Sequence, residues 1–266
     1  MRDLLAAYRG MLGASVARAV AYRAQLSIWI LTSLFPLVLL AVWLSLVDEV
    51  GPADGWTRSD FIAYYVAAAV LFHITSSFVT WQWDDDIRSG DLSFRLLKPV
   101  SPIHHFVAMD LGFKLVTAAV LVPLVVVVAF VVDGVRYSSD IGHIVLFPVA
   151  VVIGYAVSTA MALAFSMGTF WTTQVGNLYS LWWGGGAFLS GWIAPVSVLP
   201  GWLQDAALVL PFYPTIGFPL ELLLGRLDST QIAQGYASGL IWLGVFAAAQ
   251  QLLWRRGVVR YQAVGG

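Results

Sequence analysis

IVLFPVAVVIGYAVSTAMALAFSMGTF, residues 144–170, contains no Asp, Glu, Lys, Arg or His. An α-helix rises about 1.5 Å per residue, so roughly 20 apolar residues cross the ~30 Å hydrocarbon core of a bilayer. This run is long enough to do so. Further runs lie at 26–47, 61–81, 111–132, 178–195 and 232–254. Lipid offers peptide groups no hydrogen bonds, so segments of this kind span as helices. The expected fold class is an all-α membrane protein of about six transmembrane helices.

Composition agrees, with 59% hydrophobic and 11% charged residues and a mean hydropathy of +0.81. An ordinary soluble domain is about half apolar and a quarter charged. The 266 residues are read as one transmembrane domain with no soluble domain left over. The chain has no cysteine, so it has no disulfide framework, thiolate metal site or cysteine nucleophile. The distribution of its 14 basic residues sets the orientation. Arg2, Arg9, Arg18 and Arg23 precede the first run, and Arg88, Arg95, Lys98 and Lys114 fall within 82–114. Arg255, Arg256 and Arg260 follow the last, leaving Arg58, Arg136 and Arg226 opposite. The positive-inside rule then puts both termini in the cytoplasm of a multi-pass protein of the cell (inner or plasma) membrane. The basic N-terminal segment is too long and too dispersed in charge for a signal peptide and is expected to be retained.

Residues 1–24 place Leu4, Leu5, Tyr8, Met11, Leu12 and Val16 on one helical face, opposite Ala14, Ala17 and Ala21. The expectation is an amphipathic helix on the membrane surface, the alternative a basic topogenic tail. Residues 202–225 are also apolar, but Pro211, Pro214 and Pro219 interrupt them and Glu221 would lie in hydrocarbon. Within the external segment 196–230, two short half-helices are expected to dip into the outer leaflet and return, turning at Pro211 to Pro214. Trp192 and Trp202 suit the outer interface. An ordinary external loop is the alternative.

Ionisable groups are scarce within the spans. His73, beside Thr75, Ser76 and Ser77, reads either as a helix-to-helix hydrogen-bonding residue or as a proton relay. Asp110 and Lys114, four apart, read as a helix-surface pair with the lysine reaching for the interface. There is no Gly-x-Ser-x-Gly elbow, no His-Glu-x-x-His pair and no Gly-x-x-x-x-Gly-Lys loop. No residue is therefore assigned to catalysis, cofactor or metal, and any ATP must be bound by another chain. Gly184, Gly185 and Gly186 are expected at a crowded helix contact or a flexible point.

The link 82–110 carries the densest signal. Asp84, Asp85, Asp86, Arg88, Ser89, Gly90 and Asp91 precede Leu92-Ser93-Phe94-Arg95-Leu96-Leu97-Lys98-Pro99. Asp91 is placed to cap a short helix over 92–98, and Pro99 to stop it. Such a helix, with aromatic and basic side chains, suits a groove on a partner protein. The alternative is a solvated loop that only sets topology.

IRSGDL (87–92) through LKPVSP (97–102), followed by LSGWIAP (189–195), LPGWL (199–203) and LPF (210–212), resembles the permease subunits of type-2 ATP-binding-cassette exporters. The resemblance covers nearly the whole chain. It implies that the first segment is a coupling helix touching an ATPase, through Arg88, Asp91, Leu92, Phe94, Arg95, Leu97 and Lys98. It implies that the N-terminal helix is a second contact and that the outer segment caps the pathway. It further implies assembly with two ATPase subunits, which bind ATP and Mg, and with a second permease, the same or a different chain. Membrane lipid is the remaining partner, and no nucleic acid is expected.

The expected function is ATP-driven export by alternating access, with this chain a transport subunit rather than an enzyme. A lipid or glycan exporter, an uncoupled scaffold or channel and a lipid-modifying enzyme are the alternatives. Tyr64, Tyr65, His73, Thr75, Ser76 and Thr80, with Trp182, Trp183, Phe188 and Ser190, are candidates to line the pathway. Their rings and hydroxyls suit a hydrophobic or amphipathic cargo, aromatic or cationic drug-like compounds included. Packing of helix on helix is the other reading of each.

Overall fold

The computed structural model describes residues 2–21, 23–51, 55–172 and 175–261. Among these residues all regular structure is helical. Helix α1 (Arg2–Ala21) leads into α2 (Arg23–Ser33) and α3 (Phe35–Val50), which together form the first span with a break at Leu34, just before Pro36. The second span consists of α4 (Arg58–Thr75) and α5 (Val79–Ser89), and α6 (Asp91–Leu96) follows it at once. Helices α7 (Pro102–Val131), α8 (Ile141–Ser166) and α12 (Ser229–Gly257) complete five helical units long and apolar enough to cross a membrane.

Local chemistry fixes several ends. Thr57 and Asp60 form a capping box at the start of α4, and Asp228 and Gln231 form another at the start of α12. Pro102 opens α7, where its missing N–H costs nothing. Of the most apolar window of α4–α5, 78% is buried, against 6% in the first span. The second span is therefore the centre of the bundle and the first lies at its edge. Helix α8 packs on α4, α5 and α12 and closes the core from the other side.

Helix α9 (Val175–Leu189) has 15 residues and covers about 22 Å. The crossing expected over 178–195 is thus only partly helical. The chain turns at Ser190 and Gly191, where Gly191 takes φ +88° and a side chain would strike the Tyr64 hydroxyl and the Gly217 backbone. Two short helices follow, α10 (Gly201–Val209) and α11 (Gly217–Leu223), and the expected turn at Pro211 to Pro214 lies between them. Residues 211–222 are buried throughout. They fold into the bundle rather than over it. Glu221 is satisfied there by the Tyr213 hydroxyl at 2.8 Å and by the backbone N–H and hydroxyl of Ser197 at 3.3 and 3.2 Å.

One expectation is corrected and two are refined. Trp192 is no interface anchor, since its ring stacks on Phe72 at 4.7 Å inside the bundle; Trp202 alone is strongly exposed. Of the expected apolar face of α1, Tyr8, Met11, Leu12 and Val16 are half-buried, with Ser15 and Ala19 buried beside them, while Leu5 is exposed. The small Ser15 lets α1 approach Gly112 of α7, and its hydroxyl donates to Met109 O at 2.8 Å. The three glycines of α9 are not equivalent either. A side chain at Gly186 would collide with Phe212, whereas Gly184 and Gly185 face open space. Gly186→Leu should therefore destabilise the chain by roughly 1–3 kcal/mol through overpacking, and Gly185→Leu should leave the thermal unfolding of the monomeric chain unchanged. Equal unfolding temperatures for the two variants in detergent would contradict this packing.

Candidate functional site

Helix α4 ends at Thr75 and α5 begins at Val79, so the central span is interrupted at Ser76, Ser77 and Phe78. Neither glycine nor proline causes this. Ser76 is extended (φ −66°, ψ 148°), and the backbone groups freed by the break must find partners in a region without water. Helix α7 supplies them. The Lys114 ammonium donates to His73 O at 2.9 Å and to Ser76 O. One oxygen of Asp110 accepts the Phe78 N–H at 3.4 Å. The other accepts the Tyr155 hydroxyl at 3.0 Å and lies 3.8 Å from Lys114 Nζ. Lys114 thus caps the carbonyl end of one half-helix and Asp110 the amide end of the next.

The expected surface pair is corrected accordingly, because Asp110 is 1% and Lys114 6% exposed. The spacing of four was right and the face was wrong. His73 is held as a helix-to-helix residue, its Nε2 paired with the Thr117 hydroxyl.

A cavity of about 30 Å3 adjoins the break, room for about one water molecule. It is lined by Thr75, Ser76, Trp183 and Ser190 of the candidate residues, and also by Ser77, Ser158 and Thr215. Ser77 Oγ and Trp192 Nε1 are buried there without a partner among the described residues. The remaining candidates stand elsewhere. The Tyr64 and Tyr65 hydroxyls donate to Gly191 O at 2.7 Å and Ile193 O at 2.6 Å, pinning the outer segment. Thr80 donates to Ala162 O at 3.0 Å and fixes α5 to α8. Trp182 packs on Phe165 and Phe212, and Phe188 is exposed.

Below the break, α5 carries α6 rigidly. Gly90 (φ +81°) makes the sharp turn between them, and it precedes α6, so Asp91 is not the cap: it accepts the Ser89 hydroxyl at 3.0 Å instead. Helix α6 ends at Leu96, two residues short of the expected 92–98. Leu92 is fully buried in the cluster that holds Trp83 and Phe106. Arg95 pairs with Asp86 and lies over the Phe106 ring at 5.2 Å. Leu92 and Arg95, expected on the partner surface, therefore brace α6 from within. Arg88 pairs with Asp84 at 3.3 Å and Asp85 at 2.7 Å. Left outward are Phe94, 69% exposed, Leu97, 84% exposed, and Lys98, with Arg88 and Asp91 exposed beside them.

The interrupted span, the braced α6 and the infolded outer segment define a multi-pass α-helical membrane protein. Its apolar helices alone require a bilayer. The chain belongs to the ABC-2 family of transporter proteins, whose model, described as ABC-2 family transporter protein, matches residues 25–265. No curated protein is significantly similar to it. The chain is thus a permease subunit of an ABC exporter, a transport component that works with ATP-binding-cassette ATPase subunits.

Proposed function

We propose that this permease exports a hydrophobic or amphipathic compound from the cell by alternating access, with the force of ATP binding entering through α6. The observation that carries the reading is the pairing of an outward Phe94 and Leu97 with a helix braced to α5, itself separated from α4 by the break. A push on α6 then moves α5 about the interruption rather than bending a continuous helix. The partner ATPases bind ATP and Mg. Two of them, and a second permease, complete the assembly. For the second permease the exposed face of α9 is suited, since Leu178, Leu181 and Phe188 flank Gly184 and Gly185, and small residues permit close helix approach in lipid.

In this arrangement 1–266 act as a single transmembrane domain in the cell membrane, with 82–110 and both termini cytoplasmic and 196–230 external. Reporters fused after Gly266 and inserted near Ser101 should read cytoplasmic, and one near Asp205 external. A cytoplasmic signal near Asp205 would overturn the orientation.

A further inference from the structure

The chain that follows α12 returns to α6. The N–H groups of Arg260 and Tyr261 donate to Gly257 O at 2.9 and 3.1 Å, and this turn sets the Tyr261 hydroxyl 3.0 Å from that of Ser93 within α6. The Tyr261 ring meets Phe170 edge-on at 6.0 Å between centroids. Phe170 closes the 3-10 turn Met167–Phe170 at the end of α8, and it also packs on Trp83 of α5 at 6.4 Å and on Trp254 of α12 at 5.9 Å. Gly257 allows this approach, since a side chain there would collide with the Phe170 ring. The last span is thus fastened, at one end, to the helix that presents Phe94 and Leu97.

Nearer its other end α12 grips the outer segment. A side chain at Gly235 would strike the Phe218 ring, Tyr236 packs edge-on to Phe218 at 5.0 Å, and the Trp242 indole N–H donates to Val209 O at 2.9 Å. From Gly235 to Gly257 the helix covers about 33 Å. It contains no proline and, unlike the central span, it is unbroken. Rigid elements of this kind can carry a displacement between distant sites.

We infer that Tyr261 is a positioning residue for coupling, which ties α6 to α12 through Ser93 so that α12 carries a displacement of α6 to the outer segment 210–222. The inference rests on the function proposed above, in which force enters at α6. One helix then feeds two routes: α5 turns about the break in the core, and α12 reaches the outer segment directly.

The test uses the permease co-purified in detergent with its ATPase subunits and follows amide hydrogen exchange, peptide by peptide, with and without a non-hydrolysable ATP analogue. In the parent the analogue should change exchange by about threefold or more both in 86–98 and in 210–222. Tyr261→Phe keeps the ring against Phe170 and loses the hydroxyl, so it should retain the response in 86–98 and lose that in 210–222. Ser93→Ala should do the same, and the two together no more than either alone. Ser93→Thr retains a hydroxyl and should preserve the response. A response of 210–222 undiminished in Tyr261→Phe, or absent in the parent, would overturn the inference while leaving coupling at α6 standing. So would faster exchange throughout α12 in Tyr261→Phe without the analogue, the mark of a merely structural role. No response of 86–98 in the parent would overturn the coupling reading and this inference with it.

Discussion

Lys114→Met should abolish export and cost the fold about 3–5 kcal/mol, the range for removing one partner of a buried ion pair. The loss strands the carbonyls of His73 and Ser76 and leaves Asp110 charged and uncompensated at membrane depth. Against a total stability of about 5–15 kcal/mol, that is a large share. It is read as a drop in unfolding temperature and in monodisperse yield from detergent. Adding Asp110→Asn removes the stranded charge, so the double variant should recover part of the loss. A single variant as stable as the parent would mean that the break is held by something other than α7.

Phe94→Ala should leave the permease inserted and folded while detaching or uncoupling the ATPase. Nothing in the chain's own core depends on Phe94, whose ring is largely in solvent. Buried aromatic anchors commonly carry 2 kcal/mol or more of an interface, about a thirtyfold loss of affinity. Arg95→Ala acts differently from a peripheral charge, because Arg95 is tied to Asp86 and Phe106. It should tilt α6 and lower stability as well as coupling. The two are separated by measuring ATPase co-purification, efflux and unfolding temperature at matched expression. Full export by Phe94→Ala would remove α6 from the coupling route.

The spans were legible because a charge-free run of sufficient length has few other fates. Pro99 marked the end of α6 to within a turn, although its start had been given to an Asp91 cap rather than to the turn at Gly90, and the prolines at 211 and 214 placed the outer turn. The interruption at Ser76 to Phe78 was not legible, since residues on another helix cause it and no local breaker marks it. A spacing of four places Asp110 and Lys114 on one face of α7 without saying whether that face meets lipid or the core. The signal available was a charged pair beyond the start of a long apolar run, together with three hydroxyl residues in the neighbouring span. The fifth crossing was overextended because hydropathy continues past Gly191 while the backbone turns there. The pathway candidates were chosen by chemistry, and the structure scatters them because buried tyrosines and threonines are equally good at pinning a backbone.

Carriers driven by sodium or proton gradients often hold their coupling ion against the bared carbonyls of a broken helix. Here the corresponding carbonyls are taken by Lys114, a cation covalently part of the chain. It cannot dissociate into either compartment with the cargo. An exporter so built has no exchangeable ion at that position, and collapsing the sodium gradient should leave its efflux unchanged while ATP is maintained.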